Sequence, residues 1–186
     1  MDRRKSKTIR AIKDAFFDLI KTQPYSEISV QDILDKADIA RATFYDHFKN
    51  KDEILTSISN GIFAHINDSA LRAESGHDFS HDHDFEHRII HLFYHLGEYN
   101  DVIFGILASE SHDIFLQDLR HHADLLFSDR LQSIYTPDIP FNLYLNHATT
   151  SLTELILWWI KVNKCEYSPE QMAEFYFKIV PISTKE

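Results

Sequence analysis

A single cysteine, Cys165, in a chain of 186 residues excludes an internal disulfide and fits a reducing cytoplasm. Glycine and proline are also scarce, at four and five. Together with long apolar patterns of helical period, this scarcity points to an all-α protein. No apolar run approaches the ~20 residues that a bilayer span needs; the longest is Leu155–Ile160. The basic start leads into an amphipathic pattern rather than an apolar signal core, so a soluble, cytoplasmic protein with no membrane partner is expected. A glycine-rich phosphate loop, a carboxylate pair spaced for acid–base work and a base placed beside Cys165 are all missing, so the chain does not read as an enzyme and calls for no cofactor. A hydrophobic fraction of 44 % suffices for a sizeable core, in one domain or two small ones.

What the chain does have is concentrated in Ile28–Leu55. Ser29 precedes Val30, Ile33, Leu34 and Ala37, an apolar series at helical spacing behind a good N-cap, and Asp32 stands where a capping-box partner would. The pattern breaks at Asp38, a residue that tolerates a left-handed turn, and resumes with Phe44, Tyr45 and Phe48. Two short helices joined by a three- or four-residue turn form a helix-turn-helix. Arg41, Ala42 and Thr43 then fall in the first turn of the second helix, the part that reaches base edges in the major groove of double-stranded DNA. Arg41 suits a guanine, and Ala42 or the Thr43 methyl suits a thymine methyl. Tyr45 and His47 carry donors for phosphate oxygens, and Lys51 opens the next helix where its ammonium can hold one more. Phe44 and Phe48 read as core.

In these residues the chain resembles the TetR-like family of transcriptional regulators, with Thr43, Phe44, Tyr45, His47, Phe48 and Lys51 in register with the family pattern. It departs from that pattern at Leu34, where a small residue is common, at Asp38, where glycine is common, and at Ala40, where a Ser or Asn usually caps the second helix. The resemblance implies an all-α fold of about nine helices, with a three-helix DNA-binding domain over 1–51, Ser29 among its site residues, and a helical effector-binding and dimerisation domain over 52–186. It also implies a homodimer on a palindromic operator, and a repressor released by a small-molecule effector. The alternative is a co-activator or adaptor controlled by a partner protein; the C-terminal part is similar to regulators of dihydroxyacetone-kinase operons, some of which act through protein contacts.

Charge is divided in the same way. Residues 1–51 carry 11 Lys and Arg against 8 Asp and Glu, whereas the whole chain is at −10. The basic residues Arg3, Arg4, Lys5, Lys7 and Arg10 read as a flexible arm suited to phosphate or the minor groove. The acidic remainder would confine DNA contact to one end.

Further helices are expected from Ile9 to Ile20, from Asp52 to about Arg72, from Phe85 to Leu96, from Val102 to Ala108, from Phe115 to about Tyr135, from Phe141 to Asn163, and from a Ser168 cap to Pro181. A polar loop fills the stretch after Arg72, and Gly97–Asp101 reads as a turn. Phe63, Phe93, Phe104, Phe115, His122 and His147 are candidates for an apolar effector pocket with polar tips. Leu152, Leu155, Trp159, Phe175 and Ile179, on the last two helices, are candidates for the dimer interface that the resemblance implies. His83, His87, His91 and His95 recur every four residues, a spacing at which two imidazoles can share a metal. Because the stripe lies roughly opposite Phe85, Ile89, Leu92 and Leu96, it is expected to be a solvated polar face without a metal.

Overall fold

The computed structural model describes residues 3–67, 73–74, 77–78, 85–108, 112–135 and 138–182. Among them are nine α-helices: α1 (Arg3–Ile20), α2 (Val30–Ala37), α3 (Arg41–Tyr45), α4 (Asp52–Asn67), α5 (Phe85–Glu98), α6 (Asn100–Leu107), α7 (His112–Ile134), α8 (Phe141–Lys161) and α9 (Pro169–Ile179). A 3₁₀ turn, Tyr25–Glu27, joins α1 to α2. Within the expected polar loop, β1 (Ala73–Glu74) pairs antiparallel with β2 (His77–Asp78). His83 and the rest of that loop lie outside the described residues.

The chain forms two compact units, Met1–Ser59 with Asp101–Phe115, and Asn60–Asn100 with Leu116–Glu186. The first unit thus runs past the expected boundary at residue 51 and takes in α6. Its core is built from Ile12, Phe16, Tyr25, Ile33, Phe44, Phe48 and Leu55, each at most 5 % exposed. Gly105 lets α6 lie close to the end of α1, since a Cβ there would stand 3.0 Å from Ile20 Cγ1. The basic N-terminal residues are helical from Arg3 onwards rather than a free arm, because α1 begins there.

In the second unit α5 lies against α9, and α8 against α9. Trp159 is buried, edge-on to Phe93 at 5.4 Å, and its indole N–H donates to the Tyr167 carbonyl at 3.0 Å. Gly97 sits inside α5 rather than in a turn: a Cβ there would come within 3.1 Å of the Trp159 ring. Glycine here answers to close packing, not to backbone freedom. Thr149 and Thr153, buried on α8, donate to carbonyls one turn back in their own helix, at 3.1 and 2.9 Å. That bonding lets a helix with hydroxyls on its inner face be covered. Ser168 and Gln171 cap α9 as a capping box with Pro169 in the first turn, the start signal read from the sequence.

Candidate nucleic-acid interface

The reading pair forms for local reasons. Ser29 accepts from the Asp32 backbone N–H at 3.1 Å, and Asp32 accepts from the Ser29 N–H at 2.7 Å, closing the expected capping box on α2. Hydrogen bonds from the Ser29 hydroxyl and then its backbone N–H hold the Asp32 carboxyl below the usual carboxylate range. Asp38 ends α2 at φ 51°, ψ 52°, the left-handed turn its side chain tolerates. Ala40 then precedes α3 with no side-chain cap.

This geometry turns α3 outward on one side only. Phe44 is fully buried and Phe48 is 5 % exposed, and their rings meet at 5.9 Å to fasten α3 to the core. On the other side Arg41 and Ala42 are exposed, Thr43 is half-buried and Tyr45 is 48 % exposed. The Arg41 guanidinium donates to the Gln31 side-chain oxygen at 2.9 Å, and Gln31 in turn donates to Asp35 at 2.8 Å. Gln31 was invisible to sequence reasoning, because the two residues stand ten apart and meet only once the turn folds α3 back across α2. His47 is half-buried, with Nδ1 enclosed and no partner for it among the described residues.

Lys51 differs from expectation. Its ammonium donates to the Tyr25 carbonyl at 2.7 Å and the Ile28 carbonyl at 2.8 Å, and sits 4.2 Å from the centre of the Tyr25 ring. Burial lowers its pKa from the ordinary lysine value, with the Asp52 carboxylate opposing. The Tyr25 hydroxyl donates to Asp52. Lys51, Tyr25 and Asp52 therefore brace the 3₁₀ turn against the start of α4, and two of the three ammonium donors face the protein instead of a phosphate. The carbonyls that end a short turn need donors, and Lys51 is within reach. Lys13 donates to the Ser57 carbonyl, within α4, at 2.8 Å and so ties α1 to that helix.

The other candidate residues fall in several places. Phe104 and Phe115 belong to the first unit, Phe63, Phe93, His122 and His147 to the second. Phe63 and His122 stack at 4.5 Å, and His122 lies 2.7 Å from the Asn60 side-chain oxygen. Phe93 packs on Trp159, and His147 is exposed on α8. A cleft of about 940 Å³ lies within the first unit, lined by Ile20–Ser26, Asp101, Phe104, Gly105 and Ala108. Of the interface candidates, Leu152 and Trp159 are 0 and 1 % exposed in the folded chain, so they present no surface to a second copy. Leu155 and Phe175 are half-buried, and Ile179 is 61 % exposed.

The histidine stripe is not a solvated face. His91 and His95 are 1 and 6 % exposed, while His87 is half-buried. A four-residue repeat overshoots a helical turn by about 40°, so the stripe winds around the helix. His95 comes round to about 60° from Leu92, at the edge of the apolar face.

An exposed short helix, carried by a capped partner across a left-handed turn and pinned by aromatic rings from behind, is the arrangement of a helix-turn-helix DNA-binding protein. Residues 12–58 match the family described as bacterial regulatory proteins, tetR family, and residues 83–181 match a transcriptional regulator C-terminal region. The chain belongs to the TetR family of transcriptional regulators, with a helix-turn-helix DNA-binding region. The crystal structure of a TetR transcriptional regulator from Streptococcus agalactiae matches over 96 % of both chains, at 28 % identity and a TM-score of 0.72. The dihydroxyacetone kinase operon activator DhaS shares the fold over 94 % of both chains, C-terminal region included, at 21 % identity and a TM-score of 0.66. An HTH-type regulator of Bacillus subtilis, YxbF, is 41 % identical over 81 residues, covering 43 % of this chain and 21 % of that protein. The HTH-type dhaKLM operon transcriptional activator DhaS of Lactococcus lactis is 44 % identical over 64 residues, or 34 % of each chain. The chain thus spans about a fifth and a third of the lengths of these two relatives. Among the described residues no helix is long and apolar enough to cross a membrane.

Proposed function

We propose that this chain acts in the cytoplasm as a homodimer, each copy laying α3 in the major groove of one half of a palindromic double-stranded operator. The observation that carries the reading is the outward turn of α3, with Arg41, Ala42, Thr43 and Tyr45 exposed and Phe44 buried. Arg41 reads a base edge, Ala42 and Thr43 flank it, and Tyr45 and His47 meet phosphates. Two heads are supplied by a surface on α8 and α9, where Trp158 and Ile179 are 41 and 61 % exposed beside half-buried Leu155 and Phe175. Occlusion of a promoter makes the protein a repressor, released when an effector favours a conformer whose heads no longer match the half-sites.

A second reading is activation or control through a partner protein; the candidate pocket residues Phe63 and His122 stack on each other. It is supported by the relative DhaS, an operon transcriptional activator. Gel shift of the purified chain on its own upstream region tests both. A shifted band that weakens steeply with salt supports direct operator binding. A band that forms only when a partner is added supports the second reading. Failure of the chain to bind any fragment in a selection from genomic DNA would overturn the first.

A further inference from the structure

We propose that His65, His91 and His95 form a binding site for one divalent transition-metal ion of the zinc class, with Glu98 holding His95 in the ligating orientation. All three histidines lie in the second unit, and the inference does not rest on the proposed function.

The donors come together from two helices. His91 and His95 stand one turn apart on α5, and His65 reaches in from the end of α4. One ring nitrogen from each lies within 4.8 Å of the other two. The His65 ring stands edge-on to His95 and His91, with centroids 4.6 and 4.9 Å apart, and the His91 and His95 rings are tilted at 4.6 Å. His91 Nε2 and His95 Nε2 are 2.9 Å apart. A tetrahedral ion with bonds of about 2.0–2.1 Å holds its nitrogens about 3.3 Å apart, so small ring rotations suffice.

Protonation is set by the neighbour. His95 Nδ1 lies 2.9 Å from Glu98 Oε2. A carboxylate only accepts, so the proton sits on Nδ1 and the Nε2 lone pair faces the cluster, the carboxylate–histidine arrangement that orients metal-binding imidazoles. Without an ion, His91 Nε2–H donates to that lone pair. Binding exchanges this hydrogen bond for two metal–nitrogen bonds, with the His91 proton carried on Nδ1 instead.

Burial argues for a dedicated site. Histidines placed merely to be charged belong at the surface, yet His91 and His95 are among the five buried polar residues of the described chain. Two of the others, Thr149 and Thr153, are accounted for by helix carbonyls. An all-imidazole set suits zinc and its first-row neighbours rather than magnesium or calcium, and three protein ligands leave a fourth position for water or an added donor.

The test uses the untagged full chain in metal-free buffer, titrated with Co²⁺ and then Zn²⁺. The expected result is one Co²⁺ per chain, with the visible absorption of a four-coordinate nitrogen-ligated ion, displaced by Zn²⁺, and a melting temperature several degrees higher with Zn²⁺. His91→Gln and His65→Gln each weaken binding at least about tenfold, and Glu98→Gln by about tenfold through His95. His121→Gln, on the surface of α7, leaves binding unchanged. His65 is only half-buried, so its variant keeps the test sound if His91→Gln fails to fold. Absence of the Co²⁺ spectrum in the folded wild-type chain, or a spectrum that survives in both His65→Gln and His91→Gln, overturns the proposal.

Discussion

Lys51 and Arg41 are both cations of the reading domain, yet they work in opposite directions. Lys51 points inward to two carbonyls, whereas Arg41 points along the surface to Gln31. Lys51→Met is therefore expected to lower stability by about 2 kcal/mol, the scale of hydrogen bonds to a charged group, and thermal denaturation followed by circular dichroism measures it. Arg41→Ala should leave that melting curve in place and relax base preference at one operator position, read by binding to a panel of operator variants. An unaltered Lys51→Met melting curve would remove the brace from the account. His122 provides a pH signature. Burial first, then the neighbouring His121 charge, lower its pKa below the ordinary imidazole value near 6.5, with Asp118 opposing. The folded form thus binds fewer protons than the unfolded chain once pH falls below about 6.5, so stability drops on acidification through that point. His122→Gln should flatten this part of the pH–stability curve, as measured by chemical denaturation at a series of pH values.

At the scale of elements, two positions carry constraints that periodicity hides. Gly97 gives α5 room against Trp159, and the indole is held by its bond to Tyr167. Gly97→Ala gains helix propensity but crowds a fixed ring, and a net loss of about 1–3 kcal/mol from overpacking is expected in denaturant melts. A gain in stability would show that the ring moves aside. The connection from α8 to α9 places Lys164 and Cys165 at φ 57° and 58°, left-handed backbone in residues with a Cβ. Replacing Lys164 by Gly should therefore raise stability by up to about 1 kcal/mol, visible as a higher melting temperature. The helices themselves were legible in the sequence: apolar residues at 3.6-residue spacing, the Ser29 and Ser168 capping boxes and the Asp38 turn all fall where they were read. Gly97 departs from the expected turn because, in sequence, a glycine that makes room for a distant ring looks like one that bends the chain. The histidine stripe departs from the expected solvated face because a four-residue repeat does not run parallel to the helix axis.

The proposed homodimer on a palindrome needs two reading heads. Trp158, stacked on Tyr167 at 6.2 Å, and Tyr167, edge-on to Phe175 at 5.2 Å, form an aromatic surface joining α8 to α9. Trp158→Glu with Ile179→Glu should convert a dimer to a folded monomer by light scattering and sharply weaken binding to a two-half-site operator. Affinity for a single half-site should change little. A wild-type chain that is already monomeric at operator-saturating concentration would overturn the two-headed arrangement.

Local pattern alone determined the helices, the capped reading pair and the turn between them, because propensity, capping and period act over a few residues. Membership of a DNA-reading class was legible for the same reason: Arg41 through His47 are contiguous, so their common presentation needs no distant contact. Only tertiary structure decided where Lys51 directs its charge, why α5 has a glycine beneath Trp159, that Leu152 and Trp159 face inward, and that His65 joins His91 and His95. Each of these depends on which surface packs over a helix face, and that is set by residues far away in the chain.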